Sequence, residues 1–187
     1  MRELEKNPEE ENRTKRLDEI DTEYVNLVNE AIREDLNLEI SNSTLNHAVF
    51  LSKKLISLSE NNIKILTGEL DSPYYEEIKD DLENAAISLS KGNGKISILI
   101  WNKIGDGNTN FAQLRERYKD AIEIKCANRT DSINHFLVSD SKRYRFEEVH
   151  SNKDLENENI KGKANFNNKE VAEALSRSFD SIWSGVA

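Results

Sequence analysis

The chain has 187 residues, a net charge of −9, 33% charged residues and one cysteine. That length suits one domain with additions and a real core. The acidic balance disfavours non-specific binding to nucleic acid, whose affinity comes from Lys and Arg, and Cys126 alone can build neither an intramolecular disulfide nor a thiolate zinc site. Residues 1–17 are almost wholly charged or polar and contain Pro8, so they cannot bury enough apolar surface to order themselves. Met1-Arg2-Glu3-Leu4-Glu5 does not read as a signal peptide, and no apolar run reaches membrane-span length, so a cytoplasmic location is expected.

From Asp18 the pattern changes. Ile20, Tyr24, Leu27, Val28, Ala31 and Ile32 recur at helical spacing and make one apolar face. A second helix is expected from about Ser43 to Ser59, capped by Ser43 or Thr44. Residues 18–60 thus read as a helical segment that precedes the main domain, residues 61–187. Ile63 to Gly68 reads as a strand ended by glycine. Ser72-Pro73 opens a helix with Pro at its first position, and Gly92-Asn93-Gly94 stops it. Lys95 to Trp101 is nearly continuous apolar, which suits a strand covered on both faces.

Phe111 to Tyr118 reads as a short helix and Ala121 to Ala127 as a strand, in which Cys126 is expected to be buried and apolar. Two strands, His135 to Val138 and Lys142 to Val149, join at Asp140-Ser141 in a predicted hairpin. Residues 150–163 read as a polar loop. Asn167 or Asn168 caps a last helix with Val171, Ala174, Leu175, Ser178, Phe179, Ile182 and Trp183 inward. The order from residue 61 is βαβαβββα, which predicts an α/β fold with a mixed sheet and helices on both faces.

Several fragments carry less chemistry than their letters suggest. Gly105-Asp106-Gly107-Asn108 lacks the alternating acids and the bidentate Glu of a calcium loop and reads as a turn. Gly92-Asn93-Gly94-Lys95 runs from helix to strand, the reverse of a P-loop. His47 and His150 show no metal-ligand spacing, so neither metal nor cofactor is expected. Tyr74-Tyr75 reads as packing rather than base stacking. Trp101 reads as a core or rim residue, although it ends a strand where ligands sit in sheets of this type.

The segment Ile133-Asn134-His135-Phe136-Leu137-Val138-Ser139-Asp140 resembles the signature of the phospholipase D superfamily: His-x-Lys, four residues, then Asp, on a strand running into a turn. Asp140 falls on the Asp, His135 on the Lys and Ile133 on the His. Gly162-Lys163-Ala164-Asn165-Phe166 resembles the downstream Gly-Ser-x-Asn and aromatic, with Lys163 in place of Ser. Phe179-Asp180-Ser181-Ile182-Trp183 resembles a common ending of these domains. The resemblance covers about residues 61–185 and implies one half-domain of that fold.

In that family two half-domains meet across a two-fold axis. One His attacks phosphorus and the other protonates the leaving oxygen, while Lys and Asn neutralise phosphoryl charge. Isoleucine can neither attack nor carry a proton, so that mechanism is blocked at Ile133. The resemblance therefore implies a degenerate module that dimerises or docks a protein partner through residues 18–60 and the sheet edge. By analogy of fold, the setting is an accessory role in a bacterial restriction or anti-phage system.

The alternative is a phosphodiesterase or nuclease rewired around His135, with Asp140, Arg145, Glu147 and Asn165. Strand alternation puts Arg143, Arg145 and Glu147 on one face and Tyr144 and Phe146 on the other. The plainer reading makes His135 a hydrogen-bonded strand residue, Asp140 a turn residue, and Arg145 with Glu147 an exposed ion pair. Basic clusters at Lys142, Arg143 and Arg145 and at Arg115, Arg117 and Lys119 read as solvated faces rather than phosphate tracks.

Overall fold

The computed structural model describes residues 20–68, 70, 72–102, 109–149 and 161–186. The tail over residues 1–17, the Gly105–Asn108 turn and His150 lie outside them.

Asp21 caps helix α1 (Thr22–Arg33) by accepting from the Glu23 N–H. Helix α1 leads to strand β1 (Ile40–Asn42), and Thr44 caps helix α2 (Leu45–Ser57) by accepting from the His47 N–H. Strand β2 (Asn62–Thr67) follows, then helix α3 (Pro73–Lys91) and strand β3 (Lys95–Asn102). Helix α4 (Thr109–Arg117) and strand β4 (Ile122–Arg129) complete the first half. Strands β5 (His135–Ser139), β6 (Arg143–Glu147) and β7 (Gly162–Asn165) precede helix α5 (Lys169–Ser184), capped by Asn168.

One seven-stranded mixed sheet runs β1-β7-β6-β5-β2-β3-β4. Strands β2, β3 and β4 are parallel, and β2 is antiparallel to β5. The predicted mixed sheet with helices on both faces is what forms. One face carries Ile65, Ile98, Leu137 and Ala164 against Leu51 and Leu55 of α2 and Ile78 and Leu82 of α3. The other carries Leu66, Leu99, Val138 and Tyr144 against Ala172 and Phe179 of α5.

Two strands depart from the reading of the sequence. Residues 162–165, read as the end of a loop and its approach to the last helix, form β7. Residues 40–42, inside the segment read as helical, form β1 and pair with β7 in the same sheet. Residues 20–60 therefore pack onto their own chain. Helix α5 packs Leu175, Phe179, Ile182 and Trp183 against the sheet as predicted, but Ala172 and Ser176 are buried beside them, and Val171, Ala174 and Ser178 are exposed.

The hairpin is as predicted. Asp140 and Ser141 have φ of 53° and 50°, and the Lys142 N–H donates to the Ser139 carbonyl at 3.1 Å. Positive φ at both central residues is the type I′ geometry that matches the twist of two antiparallel strands.

Candidate functional site

Cross-strand pairing builds the site. Opposed residues point to the same face, and Asn42, Gly162, Glu147 and His135 stand opposite one another across β1, β7, β6 and β5. The adjacent row is Ile40, Ala164, Arg145, Leu137 and Ile65. So Arg145, Glu147 and His135 share the face covered by α2 and α3. They line a cleft of about 190 Å³, with Gly68, Tyr74 and Asn102 on its other walls.

Arg145 and Glu147 form a hydrogen-bonded ion pair and are only 3% and 5% exposed. The exposed pair expected from alternation is therefore corrected to a buried one. Two neighbours account for it. The Tyr74 ring lies 5.2 Å from the Arg145 guanidinium carbon, a stacked cation–π arrangement that suits a planar cation. On the far side, Arg145 Nε donates to Asn42 Oδ1 at 3.3 Å. Gly162 permits that approach, because a Cβ there would stand 2.7 Å from Asn42 Oδ1 and 2.9 Å from the Phe146 carbonyl oxygen.

Burial works to lower the Arg145 pKa, but the Glu147 charge and Tyr74 raise it above the ordinary value, so the guanidinium stays charged. Its charge faces a carboxylate already in place. His135 Nδ1 lies 3.9 Å from Glu147 Oε1. Its Nε2 and the Asn102 amide nitrogen each lie 3.3 Å from where a Gly68 Cβ would be. Gly68 and Asn102 follow or end the parallel strands β2 and β3, and the Asn102 N–H donates to the Gly68 carbonyl at 2.9 Å. Ile133 is half-buried before β5, at the rim of the cleft.

Of the residues expected to form a site, the structure brings together His135, Arg145 and Glu147. Asp140 is elsewhere. Its carboxylate accepts from the backbone N–H groups of Glu60, Asn61 and Asn62 at 2.8–2.9 Å and from Arg143 at 3.3 Å. It therefore ties the hairpin to the start of β2. Asn165 pairs with Tyr144, so it points to the face opposite Arg145. Its amide donates to Asn37 Oδ1 at 2.8 Å. Gly68, Asn102, Tyr74 and Asn42 were not foreseen. A glycine and an asparagine at the carboxyl ends of adjacent parallel strands carry a positional signal, whereas Asn42 carries none.

Trp101 packs against the cluster on the α5 face. Cys126 is half-buried, with its Sγ 3.0 Å from the Asn102 carbonyl oxygen. No group of three or more potential metal ligands occurs among the described residues. Nor is any helix among them long and apolar enough to cross a membrane.

Four of the five tyrosines have hydroxyls held protonated by burial, Tyr24 to about 12 and Tyr74, Tyr75 and Tyr144 also upward from 10.0. Below pH 10 folded and unfolded chains are both protonated at these groups. Above it the unfolded chain releases protons that the fold retains, so stability falls as pH rises. Unfolding is expected between pH 10 and about 12. It would be followed by circular dichroism together with tyrosinate absorbance. Stepwise tyrosinate formation while the dichroism stayed native would contradict it.

No family model and no curated protein matches the chain. Solved structures do. NucT from Helicobacter pylori is similar at a TM-score of 0.60 and 10% identity, over 80% of this chain and 98% of that one. Nuc from Salmonella typhimurium, a phospholipase D family member, is similar at 0.54 and 14%, over 80% and 97%. TrmBL2, an archaeal chromatin protein, is similar at 0.59 and 14% over 95% of this chain, which spans 63% of TrmBL2. At these identities the likeness is one of fold: the chain has a phospholipase D-like fold.

Proposed function

We propose that this chain is a catalytically degenerate phospholipase D-like domain that works by dimerising or docking a protein partner. The observation that carries this reading is Ile133, aligned by sequence with the nucleophilic His and set at the rim of the cleft. The cleft's surroundings agree with it. Phosphoryl transfer needs positive charge where oxygen charge develops, and Arg145 is buried against Glu147. Three basic residues outside the cleft are held by carboxylates: Lys142 by Asp35, Arg143 by Asp140, and Arg117 by Glu83. That pattern disfavours the DNA binding described for TrmBL2.

For the docking surface, Leu27, Leu36 and Leu38 are exposed on α1 and on the approach to edge strand β1. A homodimer through this region, in a restriction or anti-phage setting, is the form of the proposal. The expected result is no turnover of DNA, RNA or a chromogenic phosphodiester by the wild type or by His135→Ala. Sedimentation should show a dimer that Leu27→Glu with Leu38→Glu splits. A wild type that stays monomeric at every concentration removes the dimer.

The second reading is a rewired phosphodiesterase. The observation that favours it is the His135 imidazole beside the Glu147 carboxylate in a cleft, the pairing that orients a general base. Turnover by the wild type that disappears in His135→Ala would establish it and end the first reading.

A further inference from the structure

The cleft itself has a chemistry that dimerisation does not use. Its volume of about 190 Å³ exceeds the ~150 Å³ that admits a benzene ring into a protein interior. Its lining includes Ile65, Leu137, Tyr74 and Tyr75, and the two tyrosines form a T-shaped pair with ring centroids 4.8 Å apart. Two polar groups stand at its mouth. Ser72 occupies the N-cap of α3, yet its hydroxyl makes no cap hydrogen bond. The Asn102 side-chain amide is half-buried beside Gly68, carrying a donor and an acceptor.

Charge selects among ligands. Arg145 and Glu147 cancel one another inside the cleft. The start of α3 also offers an anion little: Pro73 has no N–H, and the N–H groups of Tyr75 and Glu76 both bond the Ser72 carbonyl. An anionic ligand would meet Glu147, which already holds Arg145, and only the His135 imidazole beside it could answer the ligand's charge. An uncharged planar ring with donors and acceptors on its edge meets apolar side chains, two aromatic rings, and an amide and a hydroxyl.

We infer that the cleft binds one uncharged nitrogen heterocycle of nucleobase size, its edge read by the Asn102 amide and the Ser72 hydroxyl. Two sources share this chemistry, a free base or nucleoside and an unstacked base of a single strand. The site goes beyond the dimerisation reading and does not depend on it.

The test uses the full chain, with calorimetric titration and thermal unfolding. The probes are adenosine, cytidine, their 5′-monophosphates, inorganic phosphate, indole and a short single-stranded oligonucleotide. At least one nucleoside at millimolar concentration should raise the melting temperature, and its 5′-phosphate should bind no tighter. Asn102→Ala should weaken binding by roughly tenfold, the scale of one hydrogen bond. Gly68→Val should abolish it by filling the cleft, with native circular dichroism confirming the fold. An oligonucleotide that competes assigns a nucleic-acid base, and one that does not assigns the free ligand.

The inference is overturned if no nucleoside binds, if phosphate or the monophosphates bind and nucleosides do not, or if indole binds equally well. Binding that survives both substitutions also overturns it. Oligomeric state and turnover are read separately, so failure here leaves the dimerisation proposal standing, and the reverse holds as well.

Discussion

Replacing Glu147 by Ala is expected to cost about 3–5 kcal/mol, because it strands a buried guanidinium without its carboxylate. Arg145 is 3% exposed, so water entering from the cleft would replace the carboxylate only in part. Stacking on Tyr74 and the bond to Asn42 remain, and neither neutralises the charge. A loss of that size is a large part of the ~5–15 kcal/mol that holds a typical domain together. Urea denaturation at neutral pH measures it. Removing both charges, as Arg145→Met with Glu147→Leu, should recover most of the loss, since apolar replacement of a whole buried pair is often neutral or stabilising. A single substitution costing under ~1 kcal/mol would match an exposed pair and refute this account of the site.

The second large effect is expected at Asp140. Its carboxylate accepts three backbone N–H groups and one guanidinium N–H. Its side chain is 12% exposed, while Glu60 and Asn61 are exposed, so water can take up part of those donors after Asp140→Ala. Hydrogen bonds to a charged group contribute ~1.5–3 kcal/mol each, and alanine is also disfavoured at the φ of 53°. A total loss of about 3–4 kcal/mol is expected, given that such terms do not add fully. Asp140→Asn keeps one acceptor oxygen and tolerates positive φ, so it should lose roughly half as much. A loss of only about 1–2 kcal/mol from Asp140→Ala, with none from Asp140→Asn, would show that the carboxylate bonds do not matter and that the turn is the whole of the effect.

The sequence was most legible where periodicity was strong. Lys95 to Trp101 and Ile63 to Thr67 read as strands because buried parallel strands are apolar almost without interruption. The hairpin was legible because Asp140-Ser141 breaks two runs of strand-forming residues. Strands β1 and β7 were not. Ile40-Ser41-Asn42 and Gly162-Lys163-Ala164-Asn165 are short and polar, and they become strands by pairing with each other and, for β7, with β6.

The same cause hid the state of Arg145 and Glu147. Alternation gave their shared face correctly, but burial came from Tyr74 and Asn42, far away in the chain. Asn165 was placed by a motif of adjacent letters, and strand pairing turned it to the other face. The inward face of α5 was legible at Leu175, Phe179, Ile182 and Trp183 and misread at its start, where Val171 and Ala174 are apolar residues that the packing leaves outside.

The pairing of β1 with β7 sets an order of events during synthesis. A ribosome releases Ile40 long before Ala164 exists to receive it. Until then the first helices of the nascent chain have no ladder to join, and β6 has one unpaired side. Such late closure across a long span is slow and leaves an adhesive margin open meanwhile. A chain halted before Gly162 is expected to hold that margin open, and to be cleared by proteases or to aggregate.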